Sequence, residues 1–205
     1  MNPKSALPHD LVLAYDTTPE HLQTLQARLA AAAAREGILD IAYRTVDSPV
    51  GSLLLAATET GLVRVAYTAE NHDVVLQALS DRISPRILHA PSRLDAVARE
   101  LDEYFAGRRR DSEVRIDWRL SAGFRSIVLH HLPEIGYGQT ASYAAVALLA
   151  GSPKAVRAVG SACANNPLPV VVPCHRVVRS DGGMGGYLGG VEAKRTLLTL
   201  EAAAA

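Results

Sequence analysis

Hydrophobic and polar positions follow different periods in different parts of this chain. Ile41-Ala-Tyr-Arg-Thr-Val46 alternates with period two, as a strand does. Ser52–Ala57 and Leu62–Tyr67 predict two further strands, separated by turns at Asp47-Ser-Pro-Val-Gly51 and Thr60-Gly61. Two helices are expected next. In the second, Leu94, Val97, Ala98, Leu101 and Phe105 form one stripe that stops at Gly107. Val114–Trp118 is expected as a final strand. From Gly123 the period becomes helical: Phe124–Leu132, Ser142–Ala150 and Lys154–Ala164 each predict a helix. The last two flank the turn Gly151-Ser-Pro153, a helix-turn-helix layout. Ahead of all this, Thr18-Pro19-Glu20 reads as a helix start with a capping hydroxyl, a proline that loses no needed N–H and an acid near the dipole. That helix carries Leu22, Leu25 and Leu29 on one face for packing and ends at Gly37. Three segments follow: an extension over 1–40, an α+β unit over 41–120 and a helical unit over 121–205.

Composition narrows the class. With 48% apolar and 20% charged residues the chain is a folded globular protein rather than a disordered one. It holds no apolar run long enough to span a bilayer, and its first residues lack a secretory pattern, so a cytoplasmic protein without membrane association is expected. Two cysteines, Cys163 and Cys174, make neither a disulfide framework nor a CxxC zinc pair, and no metal is expected. The formal net charge is zero, but residues 1–120 hold 14 Lys/Arg against 17 Asp/Glu, and residues 121–205 hold 7 against 4. An anionic partner should meet the C-terminal part.

Chemistry concentrates in Val170-Val-Val-Pro-Cys-His-Arg-Val-Val178. An apolar strand is expected to run into Pro173, place Cys174 at its end and resume afterwards. A neighbouring histidine can draw the thiol proton, so a Cys174 pKa below the free-thiol value is expected. Consecutive residues of an extended segment face opposite ways, so His175 should reach Cys174 through a water. Cys163, in an alanine-rich helix, reads as a small buried hydrophobe.

Pro173-Cys174-His175-Arg176-Val177 resembles the active-site motif of the O6-alkylguanine-DNA alkyltransferases. The similarity extends through Gly138-Gln-Thr-Ala-Ser142-Tyr143, Pro153-Lys-Ala-Val-Arg157-Ala158-Val159-Gly160, Asn166-Pro167 and Gly186-Tyr187-Leu-Gly189-Gly190 to Lys194, Leu197-Leu198 and Glu201. Asp47–Gly51 and Leu101-Asp-Glu-Tyr-Phe-Ala-Gly107 carry it, more loosely, into the first half.

The resemblance implies an α+β protein, with a small N-terminal α/β (ribonuclease H-like) domain and a C-terminal winged helix-turn-helix-like domain holding the active site. It implies irreversible transfer of a methyl or small alkyl group from guanine O6, and from thymine O4, to Cys174, with no cofactor. Glu201 would hold His175, which takes the thiol proton. Tyr143 would protonate the leaving base with Lys194 assisting, and Asn166 would brace the turn. Arg157 would fill the stack vacated by the flipped base, while Ala155, Ala158, Gly160 and Ser142 contact DNA. Pro169, Val177, Gly185, Tyr187 and Leu188 would line the substrate pocket. The implied partner is double-stranded DNA with alkylated bases, met in the minor groove by a monomer. Leu129, Val156 and Leu188 depart from the family pattern, Leu188 bearing on the size of alkyl group accepted. Two other readings stand beside this one: a regulator using the cysteine as an alkylation sensor, and a lesion binder without chemistry.

Overall fold

The computed structural model describes residues 18–203. The first part of the extension, residues 1–17, lies outside the described residues. Helix α1, Pro19–Arg35, begins where its capping signal stands, with Thr18 Oγ1 accepting from the His21 N–H. Its packing face differs from expectation. Ala30 and Ala33 are buried, while Leu22, Leu25 and Leu29 are 46%, 42% and 56% exposed. The short side chains permit close approach to the sheet edge, and this rotates the leucines outward.

The N-terminal unit is a four-stranded sheet of order β3-β2-β1-β4. Its strands are β1 (Ile41–Val46), β2 (Leu53–Ala57), β3 (Leu62–Tyr67) and β4 (Ile87–His89). β1 pairs antiparallel with β2 and parallel with β4, and β2 pairs antiparallel with β3. Alternation along β1 and β2, and a register shift between β2 and β3 beside Val63, sort side chains to two faces. Ile41, Leu54, Ala56, Val63 and Ala66 pack with Val75 and Leu79 of α2 (His72–Arg82). Ala42, Leu53, Leu55, Leu62, Val65 and Tyr67 point the other way, toward Val97, Leu101 and Tyr104 of α3 (Asp95–Phe105). This second face is continuous with the C-terminal core, Cys174 included. The expected strand Val114–Trp118 is only a single bridge from Ile116 to Leu62. Trp118 already belongs to a 3-10 turn, capped by the Asp117 carboxylate accepting from the Arg119 N–H.

The C-terminal unit contains α4 (Gly123–His131), α5 (Tyr143–Leu149), α6 (Val156–Ala164) and α7 (Gly190–Ala203). A short parallel ladder joins β5 (Ala141–Ser142) to β6 (Val177–Val178). α5 and α6 form the expected helix-turn-helix, packed on α4 through Val128, Leu129, Val146, Ala147 and Val159. Leu129, one of the positions that depart from the family pattern, is fully buried. Among the described residues no helix is long and apolar enough to cross a membrane.

The largest departure from expectation lies just before the cysteine. Val170–Val172 is not a strand but part of a tight turn closed by Val172 N–H donating to the Leu168 carbonyl at 2.8 Å. Val170 takes a positive φ of 73°, which costs a β-branched residue on the order of 1–3 kcal/mol. Asn166 explains why the turn persists against β propensity. Its buried amide accepts from Leu168 N–H at 3.0 Å and donates to the Val172 carbonyl at 2.8 Å, so one side chain ties both ends. Cys174–Arg176 then forms a 3-10 turn, and only Val177–Val178 is extended. Cys174 and His175 are therefore not on opposite faces of a strand.

Candidate active site

Cys174 is 2% exposed, at the start of that 3-10 turn. Asn166 Nδ2 lies 3.2 Å from its sulfur, so the amide that fixes the turn also donates toward the thiol. Burial pushes the thiol up to about 11, against which the Asn166 hydrogen bond and the Lys194 charge act in the lowering direction. The expected depressed pKa is thus reversed: desolvation of the anion outweighs its neighbours, and the resting group is a neutral thiol. Cys163 is buried in α6 and pushed up to about 12, as its packing role suggests.

His175 is fully buried, and its Nε2 meets Glu201 Oε1 at 2.8 Å. A carboxylate accepts here, so the proton sits on Nε2 and Nδ1 carries the lone pair. Burial holds His175 below its usual value despite Glu201, so the ring is neutral near pH 7. Nδ1 is buried with no hydrogen-bond partner among the described residues.

Glu201, from α7, is fully buried and heavily satisfied. Besides His175 it accepts from Arg176 Nε and Nη2 at 2.9 and 3.0 Å, the Tyr104 hydroxyl at 2.8 Å and Gly138 N–H at 3.1 Å. Burial raises a carboxyl, but the hydrogen bonds and charges of His175 and Arg176 outweigh it and hold Glu201 at about 2. Arg176 also donates to the Ile135 carbonyl at 2.6 Å and lies over the Tyr137 ring.

The surrounding wall is assembled from both units. Lys194 is fully buried and donates to the carbonyls of Val177 and Met184, pinning the loop before α7 onto β6. Tyr143, half-buried, packs its hydroxyl against Gly185, where a Cβ would lie 2.7 Å from the oxygen. The Tyr187 ring stands edge-on to His175 with centroids 6.3 Å apart, and its hydroxyl pairs with that of Tyr67 from β3 at 2.9 Å. Pro169 and Val177 are buried beside the cysteine turn. Leu188 lines a cleft with Arg64, Glu70 and Asn166. On the outer side, Arg157 and Ala158 of α6 are exposed, Ala155 and Gly160 are partly exposed, and Ser142 caps α5 by accepting from Ala145 N–H.

Tyr104, Arg176 and Tyr67 hold this site together without having been singled out for a role from the sequence. Tyr104 and Arg176 lie within segments that carry the family resemblance, which was the available signal. Tyr67 left none, because it arrives through the sheet face it shares with Leu53 and Val65. A Cβ on Gly189 would lie 2.6 Å from the Tyr67 ring. Gly189→Ala is therefore expected to displace Tyr67, break its pairing with Tyr187 and destabilise the fold by about 1–3 kcal/mol. An unchanged denaturation midpoint would show that the wall yields freely.

The chain is similar to known proteins over both of its units. The family described as 6-O-methylguanine DNA methyltransferase matches in two parts, its ribonuclease-like domain over residues 41–118 and its DNA-binding domain over 123–203. The methylated-DNA–protein-cysteine methyltransferase of Mycolicibacterium paratuberculosis is 37% identical over 161 residues, spanning 78% of this chain and 92% of that protein. The constitutive enzyme of Bacillus subtilis is 35% identical over 163 residues, spanning 78% and 94%. The crystal structure of a Mycobacterium tuberculosis relative in complex with DNA superposes with a TM-score of 0.71 at 36% identity, covering 80% of this chain and 94% of that one. The chain belongs to the methylated-DNA–protein-cysteine methyltransferase family.

Proposed function

We propose that this protein repairs O6-alkylguanine, and O4-alkylthymine, in double-stranded DNA by moving the alkyl group irreversibly onto Cys174. One observation carries the chemical reading: a buried neutral thiol braced by Asn166 adjoins a neutral His175 whose Nε2–H is taken by Glu201, leaving Nδ1 as the proton acceptor. The thiol proton passes through a water to Nδ1, and Glu201 stabilises the imidazolium. The thiolate sulfur attacks the alkyl carbon, the C–S bond forms and the O6–C bond breaks. Guanine leaves as an anion unless a proton reaches its ring, and Tyr143 supplies it, with Lys194 holding the wall. The imidazolium then loses its proton and the Tyr143 phenolate regains one through solvent, so in sum the thiol hydrogen and the alkyl group change places. No group among the described residues of the site is placed to hydrolyse a thioether, so on this reading each molecule acts once.

The lesion lies inside the duplex and must be rotated out to meet a buried sulfur. Exposed Arg157, flanked by small Ala155, Ala158 and Gly160, suits the surface that enters the minor groove and fills the gap. Packing among the described residues does not require a small side chain at two of these positions: Ala158 is exposed, and a Cβ on Gly160 would meet nothing within 4 Å. The protein acts as a monomer on this reading, one helix-turn-helix serving one lesion. Arg157→Ala should slow repair of O6-methylguanine in duplex DNA roughly 10- to 100-fold, the scale of losing about 1.4–2.8 kcal/mol of support for an unstacked base. Reaction with free O6-benzylguanine should change little. Rates measured side by side on both substrates decide the matter, and equal losses would make Arg157 structural.

A further inference from the structure

The catalytic cluster draws on α3 of the N-terminal unit through one hydroxyl. Tyr104, 8% exposed, donates to Glu201 Oε1 at 2.8 Å. That oxygen also receives the His175 Nε2–H at 2.8 Å, and the phenol oxygen stands 3.5 Å from the same nitrogen. Edge-to-face contacts with Phe105 and Tyr137, at 5.2 and 6.0 Å, fix the ring independently of its hydroxyl.

We propose that Tyr104 is a positioning residue for alkyl transfer, holding Glu201 and His175 in register and limiting how strongly Glu201 draws a proton onto His175. The inference rests on the reading of Cys174 as alkyl acceptor. Its physical basis is the crowding of one oxygen. A donor on a carboxylate spreads that group's negative charge, so each added donor weakens the attraction felt by an imidazolium on the same atom. The groups facing His175 are Glu201 and Lys194 from α7, Cys174 and Arg176 from its own turn, Tyr187 from the loop before α7, and Tyr104 from α3. Arg176, Lys194 and burial all oppose protonation, and Glu201 alone favours it. Tyr104 therefore moderates the single group that could charge the base prematurely. Through it the N-terminal unit, which holds neither the nucleophile nor the base, takes part in the reaction.

The test uses the full chain with Tyr104→Phe, which keeps the ring and removes only the hydroxyl. Single-turnover transfer from O6-methylguanine duplex is followed across pH, and duplex affinity is measured separately. With the hydroxyl gone Glu201 concentrates more charge on Oε1 and His175 protonates more readily. The acid limb of the rate profile should then move up by about 0.5–1 pH unit. The plateau should fall by about 3- to 10-fold because Glu201 and His175 lose the register that the hydroxyl holds, with duplex affinity unchanged. In a Glu201→Gln background the same substitution should have little further effect, because the shared oxygen no longer bears the charge. A second variant guards against poor folding. Incorporating 3-fluorotyrosine at 104 keeps the hydroxyl as a stronger donor and should move the limb down. A folded Tyr104→Phe protein with the parent profile overturns the proposal, and so does a lower plateau with an unmoved limb, which is what a purely structural role gives. Failure of the parent protein to take the alkyl group on Cys174 is a different result, and removes the reading of the site itself.

Discussion

Cys174→Ser should abolish methyl transfer, with a loss of about 10⁴-fold or more, while duplex affinity stays near that of the parent. The hydroxyl occupies less space than the thiol and can still accept from Asn166 Nδ2, so the turn from Leu168 to Arg176 has no reason to rearrange. What disappears is the nucleophile. A serine hydroxyl ionises far less readily than a thiol, and His175, kept neutral by burial, is too weak a base to generate an alkoxide beside it. Incubating each protein with duplex carrying a labelled O6-methyl group provides the measurement. The parent should saturate at about one label per chain, because the thioether has no route back. Label on the serine variant, or turnover beyond one equivalent in the parent, contradicts the assignment.

The second large effect is expected at Glu201. Its neutral isostere, Glu201→Gln, leaves the buried Arg176 guanidinium without its carboxylate and removes the anion that stabilises imidazolium. Breaking a buried pair from one side costs about 3–5 kcal/mol, and loss of support for the base should slow transfer by roughly 10- to 100-fold. The pH dependence has a definite sign. Glu201 titrates at about 2 in the folded protein against 4.5 ordinarily, so the folded state releases the proton more readily than the unfolded chain. Its contribution to stability is complete above pH 4.5 and fades as the pH falls through about 2. Denaturant titrations of parent and variant across that window should therefore converge toward low pH. Parallel curves would mean that Glu201 is not the group whose protonation weakens the fold.

Much of this architecture was legible because local and tertiary preferences agree. Strand β1 shows a period of two, β2 and β3 are apolar runs bounded by turns, and α3 shows its buried stripe. The helix-turn-helix and the Cys174 motif are contiguous in sequence. Disagreements arise where distant residues overrule local ones. Val170–Val172 has strand composition, yet Asn166 binds both ends of the segment and bends it into a turn. Ile87–His89 is too short to announce itself, and becomes a strand only by lying beside β1. The leucines of α1 form an apolar stripe, but its alanines make the closer contact. The Cys174 thiol was expected to be acidic from its neighbours, whereas its burial decides the direction. Tyr67 and Tyr104 reach the site from another unit, across a core that no local pattern describes.

That burial also defines the central test. A neutral resting thiol should alkylate slowly with small thiol reagents near pH 7, yet react readily with the base that the pocket is shaped to receive. The most direct measurement is mass spectrometry of the protein, intact and after proteolysis, following incubation with duplex DNA containing O6-methylguanine. A single added methyl group is predicted, confined to the peptide that holds Cys174, with unmodified guanine restored in the DNA. An unmodified protein bound to intact lesion, or a methyl group on Cys163, would contradict the account.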